Sequence, residues 1–185
     1  MRIIGGRLRG LHLASVGPGD AAAHLRPTSD RVREAIFNLL INGGHGDPVT
    51  GARVLDLFAG TGALGLEALS RGAAAAVFVD DGAVAQGLLR KNIDLTRSQS
   101  TATLIRRNAT RLGRNPGAAH DLIFLDPPYG KALGEAALAA ATGWIAPGAM
   151  LVWEDSAPPL LPPRHDILDQ RRYGDTLVTL LRAPE

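Results

Sequence analysis

Gly60, Thr61, Gly62, Ala63, Leu64 and Gly65 follow a short apolar run, VLDLF, and precede a helix-forming stretch. Glycines at this spacing let the main chain turn sharply from strand to helix and approach a ligand closely. Asp80 ends the next apolar run, twenty residues after Gly60, and its carboxylate can accept both hydroxyls of a ribose. The pattern suits an adenosine-containing ligand, a nicotinamide dinucleotide included. Asp56, four residues before Gly60, falls at the C-terminal end of the first strand. A carboxylate there repels a pyrophosphate and attracts a ligand whose other end is cationic, and S-adenosylmethionine carries both an ammonium and a sulfonium. As strand-end residues, Asp56 could also cap backbone donors and Asp80 could stand in solvent.

A second constellation, LIFLDPPYG, puts Asp126 at the end of another apolar run, followed by Pro127, Pro128 and Tyr129. The prolines stiffen the loop and contribute carbonyls without adding backbone donors. Asp126 and a neighbouring carbonyl can accept both hydrogens of an amino group while Tyr129 offers a stacking face. A planar exocyclic amine is a weak nucleophile, so orientation is the main catalytic contribution, and the proton leaves during or after transfer without a metal. Asn108, near the end of a third apolar run, has an amide able to pair with an adenine edge, although Asn is also a common turn residue.

The chain has 185 residues, 45% hydrophobic and 21% charged, which predicts one domain with one core. With no cysteine it has no thiolate metal ligand, iron-sulfur cluster or thiol nucleophile. His12, His24, His45, His120 and His165 have no metal-ligand spacing. No apolar run approaches the ~20 residues of a membrane span, and the expectation is a soluble, cytoplasmic, monomeric protein. Eighteen of the twenty basic residues are Arg. Residues 1–33 carry six of them against Asp20 and Asp30, while the remainder of the chain is net acidic. Guanidinium groups concentrated at one end suit phosphates, and Arg2, Arg7, Arg9, Arg26 and Arg31 are the candidates for contact with a nucleic acid. A second run from Arg97 to Arg114 has five Arg and no acid.

These residues need a particular set of elements. Residues 2–13 alternate around Gly5 and Gly6 and predict a short basic hairpin. Residues 15–25 read as loop. RPTSDRVREAIFNLL predicts an amphipathic helix capped by Thr28 or Ser29, with Val32, Ala35, Ile36, Leu39 and Leu40 on one face and a stop at Gly43 and Gly44. Strands and helices then alternate: VLDLF, helix 63–70, AAVFVD, helix 83–95, strand 102–106, LIFLD, helix 135–144 and AMLVWED. Such alternation predicts an α/β fold with a doubly wound, mainly parallel sheet. Residues 167–173 and 176–181, joined by Gly174 and Asp175, leave no room for a crossover helix and predict an antiparallel hairpin at the sheet edge.

VLDLFAGTGALGLEALSRG and LIFLDPPYG together resemble the class I S-adenosylmethionine-dependent methyltransferases. MRIIGGRLRG, RPTSDRVREAIFNLL, DPPYGKAL and QRRYGDTLVTLL extend the resemblance over nearly the whole chain, to the bacterial 16S ribosomal RNA guanine-N2 methyltransferase family often called RsmD. The resemblance implies a Rossmann-like seven-stranded sheet, six strands parallel and one antiparallel. It also implies methylation of a guanine amine in small ribosomal subunits or an assembly intermediate, and a target base splayed into the pocket. On this reading Asp56, Phe58, Gly60, Gly62, Asp80, Asn108 and Ala109 take the cofactor, and Asp126, Pro127, Pro128 and Tyr129 the target base. Residues 1–45 become an RNA-facing extension of the catalytic core at 46–185. Two departures stand out. Asp80, Asp81, Gly82 occupies the place of a frequent Glu, Lys, Asp, and Asn108 that of a frequent Asp.

Other readings weigh less. A DNA or RNA adenine-N6 methyltransferase shares the DPPY motif, but the chain shows no separate target-recognition segment. A protein-glutamine methyltransferase more often has Asn in place of Asp126. A dehydrogenase conflicts with Asp56, and a non-catalytic RNA-binding factor leaves the glycine loop and DPPY without a use.

Overall fold

The computed structural model describes residues 1–16, 29–128 and 132–185. The alternative cap Thr28, most of the loop expected at 15–25, Arg26, His24 and Tyr129 lie outside the described residues. Ser29 is the helix cap, its Oγ accepting the Val32 N–H at 3.2 Å, and Asp30–Asn42 forms α1. Asp30 in the first turn complements the helix dipole. The apolar spacing buries Ile36, Phe37, Leu39 and Leu40, and the helix ends where the Gly43 N–H bonds the Leu39 carbonyl at 2.9 Å.

Thereafter strand and helix alternate: β1 (Arg53–Leu57), α2 (Ala63–Ser70), β2 (Ala75–Asp80), α3 (Ala83–Leu95), β3 (Ala102–Arg106), β4 (His120–Leu125), α4 (Leu133–Ala140) and β5 (Ile145–Asp155). β6 (Asp166–Tyr173) and β7 (Thr176–Arg182) complete one sheet in the order β3-β2-β1-β4-β5-β7-β6. β1 to β5 are mutually parallel; β7 is antiparallel to both β5 and β6. Six strands therefore run one way and β7 alone runs the other. The strand order reverses at β1 and β4, and in such sheets the ligand crevice opens beyond the C-terminal ends of the strands at that point.

Several boundaries differ from expectation. β4 starts earlier and ends at Leu125, leaving Asp126 just beyond it. α4 starts and ends earlier, and a 3-10 turn at Thr142–Trp144 leads directly into a longer β5. The N-terminal segment has an antiparallel bridge between Arg2 and His12, but Gly5 and Gly6 are not its turn. The reversal is a wider loop containing a 3-10 turn, Gly6–Leu8. Its backbone donors bond side chains of α2 in place of a second strand.

Two apolar layers cover the sheet. On one face Ile3, Leu13, Phe37 and Leu66 pack with Val54, Phe78 and Phe124; on the other Leu57, Ile123 and Trp153 pack with Ala109, Leu112, Leu138 and Trp144. The N-terminal segment thus shares its core with the sheet, and a buried polar cluster fixes it there. Fully buried Glu67 on α2 accepts the Ile4 and Gly5 N–H groups, each at 2.8 Å, and Arg71 Nε at 2.8 Å. Arg33 Nε lies 3.6 Å from the same carboxylate, and its guanidinium also reaches Asp30 and the Arg2 carbonyl. Ser70 Oγ bonds the Gly5 carbonyl and the Leu8 N–H, and Arg71 lies over the Phe37 ring.

Replacing Glu67 by Ala takes the carboxylate from Arg71 and from the Ile4 and Gly5 N–H groups, and one of two carboxylates from Arg33. Removing one partner of a buried ion pair costs about 3–5 kcal/mol, so E67A should lose that much unfolding free energy in urea. A loss below about 1 kcal/mol, the worth of an exposed pair, would assign the docking of the segment to Ile3 and Leu13 alone.

Candidate active site

The glycine loop caps the crevice end of β1. Ala59 N–H bonds the Val79 carbonyl at 3.0 Å and Gly62 N–H returns to the Ala59 carbonyl at 2.7 Å, closing a tight turn. Gly60 (φ +55°) and Gly62 (φ +78°) both occupy the left-handed region that disfavours side chains. They differ in what a Cβ would meet. At Gly62 it would lie 2.3 Å from Leu89, so this glycine lets the loop pack on α3; at Gly60 nothing lies closer than the Phe58 carbonyl at 3.9 Å. The space over Gly60 is therefore open for a ligand against main chain. Phe58, half-buried, also has positive φ, +59°. Gly65 serves close approach of a different kind, because a Cβ there would strike the Phe78 ring at 2.4 Å and crowd Asp56.

Asp56 is buried at the end of β1, and its Oδ2 accepts the Gly65 N–H at 2.9 Å in the first turn of α2. Burial, with repulsion from Asp126 and Asp80 added, pushes its carboxyl well above the usual carboxylate range, although the Gly65 bond opposes this. Asp126 and Asp80 thus add to the cost of charge on Asp56, and a cationic ligand would relieve it. Asp80 ends β2, where one oxygen accepts the Gly60 N–H at 2.9 Å and the other the Gly82 N–H at 2.8 Å. It thereby ties the glycine loop to the neighbouring strand and keeps lone pairs for a diol. This donor set, an open backbone cradle and a cluster of carboxylates, fits S-adenosylmethionine and is ill suited to a pyrophosphate.

Asn108 sits beyond the end of β3 as the cap of a 3-10 turn, Ala109–Arg111. Its Oδ1 accepts the Thr110 N–H and hydroxyl at 2.9 and 2.6 Å, and its Nδ2 donates to Asp81 at 2.9 Å. The side chain is largely committed to that turn, with buried Ala109 beside it. Asp81 carries no sequence signal for this pairing, since the two residues meet only when adjacent strands align.

Asp126 follows β4, half-buried, with Pro127 buried and Pro128 exposed. Tyr129 lies outside the described residues. One strand over, Leu125 aligns with Trp153, so Glu154 on β5 is the cross-strand neighbour of Asp126, and it is buried. Its sequence signal is its place directly after the apolar run AMLVW, with Asp155 following. Arg2, exposed and 3.7 Å from Asp30, and Arg31, in the first turn of α1, lie near the start of that helix. Arg7 and Arg9 lie elsewhere: Arg7 lines a recess with Ser70, Arg71 and Thr101, at the end of α2 away from the glycine loop. Arg26 is outside the described residues. Among the described residues, Arg7 and Arg31 line separate recesses.

Fold and crevice define a class I S-adenosylmethionine-dependent methyltransferase. Residues 1–182 match the family described as Conserved hypothetical protein 95. The chain is 41% identical over 165 residues to ribosomal RNA small subunit methyltransferase D of Escherichia coli, covering 88% of this chain and 78% of that protein. It is 34% identical to the protein of the same name from Haemophilus influenzae, covering 94% and 89%. The solved Escherichia coli protein yhhF, described as a candidate methyltransferase, superposes with a TM-score of 0.82 at 35% identity over 100% of this chain and 98% of its own. The chain belongs to this family, the RsmD-type methyltransferases.

The raised Asp56 carboxyl has a defined sign in stability. The folded chain holds that proton more tightly than the unfolded one, so the contribution is complete below the ordinary value of 3.8 and is lost as pH rises through the raised folded value. Asp56→Asn, which keeps an acceptor for Gly65, should raise the thermal midpoint of the ligand-free protein at neutral pH, with the gain shrinking toward about pH 4. The same variant should bind S-adenosylmethionine more weakly by calorimetry; a lower midpoint would remove the electrostatic account. Gly60→Val meets a left-handed cost of about 1–2 kcal/mol and enters the ligand space, predicting at least roughly tenfold weaker cofactor binding; unchanged affinity would place the ligand elsewhere.

Proposed function

We propose that this chain transfers a methyl group from S-adenosylmethionine to the exocyclic N2 amine of a guanine in small-subunit ribosomal RNA. The observation that carries the reading is the placement of Asp126, at the end of β4, across the crevice from Asp56 and the glycine loop. The name of the Escherichia coli relative, ribosomal RNA small subunit methyltransferase D, supports the substrate class. Position 966 of 16S ribosomal RNA is the guanine to which the resemblance points.

Bound S-adenosylmethionine supplies an electrophilic methyl on a positively charged sulfur. Asp56 and Asp80 fix its cationic and ribose ends, and the main chain at Gly60 approaches it without a side chain. Asp126 and the carbonyl of Pro127 or Pro128 accept the two amine hydrogens, holding the nitrogen lone pair in line with the methyl carbon. Positive charge that grows on the amine nitrogen as it takes the methyl group would be stabilised by the Asp126 carboxylate beside it. The proton then passes to that carboxylate or to water. Burial of Pro127 holds the loop in place. Residues 1–45 serve as the RNA-facing extension and residues 46–185 as the catalytic core; the enzyme acts as a monomer on the subunit or an assembly intermediate.

The test is transfer of isotope-labelled methyl to small subunits lacking base methylation, with naked RNA, DNA and protein in parallel and nucleoside digestion by mass spectrometry. N2-methylguanosine from subunits is the expected product. N6-methyladenosine, or label in DNA or protein alone, would overturn the substrate assignment. Asp126→Ala should lower kcat by about 10²–10⁴-fold with an unchanged circular dichroism spectrum; turnover like that of the wild type would remove its role.

A further inference from the structure

Glu154 is a buried carboxylate that the reaction as derived leaves without a use. It stands one residue before the end of β5, and the register that pairs Leu125 with Trp153 sets it level with Asp126 on the neighbouring strand. The two acids also share a face of the sheet. Side chains alternate along a strand. Phe124 and Val152 belong to the apolar layer formed with α1 and α2, while Leu125 and Trp153 belong to the opposite one. Asp126 and Glu154, each two residues after a member of the first layer, therefore face the same way. Val178, the antiparallel partner of Glu154 on β7, lies in that first layer too.

The same alternation brings Asp56 and Asp80, two residues after Val54 and Phe78, to this face. Asp56 is level with Phe78 and Phe124, so Asp80 and Asp126 stand two residues further toward the crevice, and Glu154 stands with them. Along the order β2-β1-β4-β5 the crevice end of the sheet thus presents Asp80 and Asp56 to the cofactor, Asp126 to the amine, and Glu154 one strand beyond Asp126, on the side away from the cofactor residues. Adjacent strands lie about 4.8 Å apart, so a planar two-ring base held at Asp126 extends over the neighbouring strand. A buried carboxylate at this point also costs stability that Val152 and Val178, on the same face, do not.

Guanine presents three donors along the edge that carries its amine: the N1–H and the two hydrogens on N2. Asp126 and a proline carbonyl account for the two on N2. The N1–H lies next to them, and an ionised carboxylate, which accepts and never donates, suits it. Adenine and 2-aminopurine carry a lone pair at N1, which a carboxylate repels. We infer that Glu154 accepts the N1–H of the target base and so selects guanine over purines that lack this hydrogen. The inference rests on the proposed guanine-N2 reaction and names a specificity-determining residue for it. A site built to bond a donor strongly rejects an analogue without it, because its buried acceptor is then left facing a lone pair.

The test uses small subunits reconstituted from 16S ribosomal RNA carrying either guanine or 2-aminopurine at the methylated position. 2-Aminopurine keeps the N2 amine and lacks both the N1–H and the O6 oxygen. The wild type should show kcat/KM at least roughly a hundredfold higher on guanine. In E154Q the amide can donate to N1 as well as accept from it, so that ratio should narrow to within about tenfold, with S-adenosylmethionine affinity by calorimetry unchanged. Loss of O6 is common to every variant, so the change in ratio reports on N1 alone. E154D keeps the charge on a shorter arm and should lose at least roughly tenfold on guanine with little change on 2-aminopurine, which decides the matter even where E154Q fails to fold. A wild type that methylates both bases alike, or variants that lose rate equally on both, would overturn the assignment and leave guanine-N2 methylation standing. No N2-methylguanosine from the guanine subunits with the wild type would instead refute the proposed reaction, and the inference with it.

Discussion

One buried carboxylate ties the N-terminal segment to the cofactor loop. Glu67 lies in the first turns of α2, the helix that begins at Gly62, and receives two backbone donors from residues 4 and 5 together with Arg33 and Arg71. A charge in this position is costly unless its lone pairs are filled, and here they are filled from three separate parts of the chain. The segment before β1 cannot move away without exposing that charge. Asn92 repeats the device on α3, bonding Ala14 through both ends of its amide and the Thr61 carbonyl of the glycine loop as well. The two tethers place Met1 and Ala14 beside the loop, and Met1 Sδ lies 3.7 Å from Thr61 Oγ1. What lies N-terminal in sequence is therefore part of the wall behind the cofactor crevice.

Around the crevice, charge is sorted by depth. Asp56 is buried at its strand end, Asp80 and Asp126 are half-buried near it, and Arg106, in register with Asp80 on β3, is exposed. Such a gradient separates two ligands of opposite sign without a dividing wall. A sulfonium-bearing ligand would gain from the interior, and a polyanion would be repelled there.

The fold was readable where local pattern and tertiary environment agree. Asp30, Gly43 and the apolar face of α1 obey helix rules with no help from elsewhere, and VLDLF and AAVFVD are buried on both faces as parallel strands require. Gly60 and Gly62 are readable as a strand-to-helix turn for the same reason, since positive φ dictates residue type locally. Gly5 and Gly6 misled because the partner of the Gly5 N–H is Glu67, sixty-two residues on, and a hairpin rule has no knowledge of that carboxylate. Asn108 was read from its amide alone; its commitment to Thr110 and Asp81 depends on two elements coming together. The earlier end of α4 reflects Trp144, whose burial and bond to Gly113 draw the chain into a 3-10 turn where helix periodicity continues on paper.

Asp56 sets the balance between stability and function in this site. Its carboxyl is buried, faces two like charges, and has one backbone donor from Gly65 to offset them. No arrangement of the ligand-free chain improves this, because any residue cation placed in the crevice would fill the space the ligand needs. The protein therefore carries a destabilising group that a cation bound in the crevice would compensate. Binding and ionisation of Asp56 are then linked: a cation in the crevice lowers the carboxyl's affinity for its proton, and loss of the proton raises affinity for the cation. After methyl transfer the sulfur is neutral, so part of that mutual support disappears at the moment of reaction. The same electrostatics that draws in the cofactor thus weakens the hold on its product.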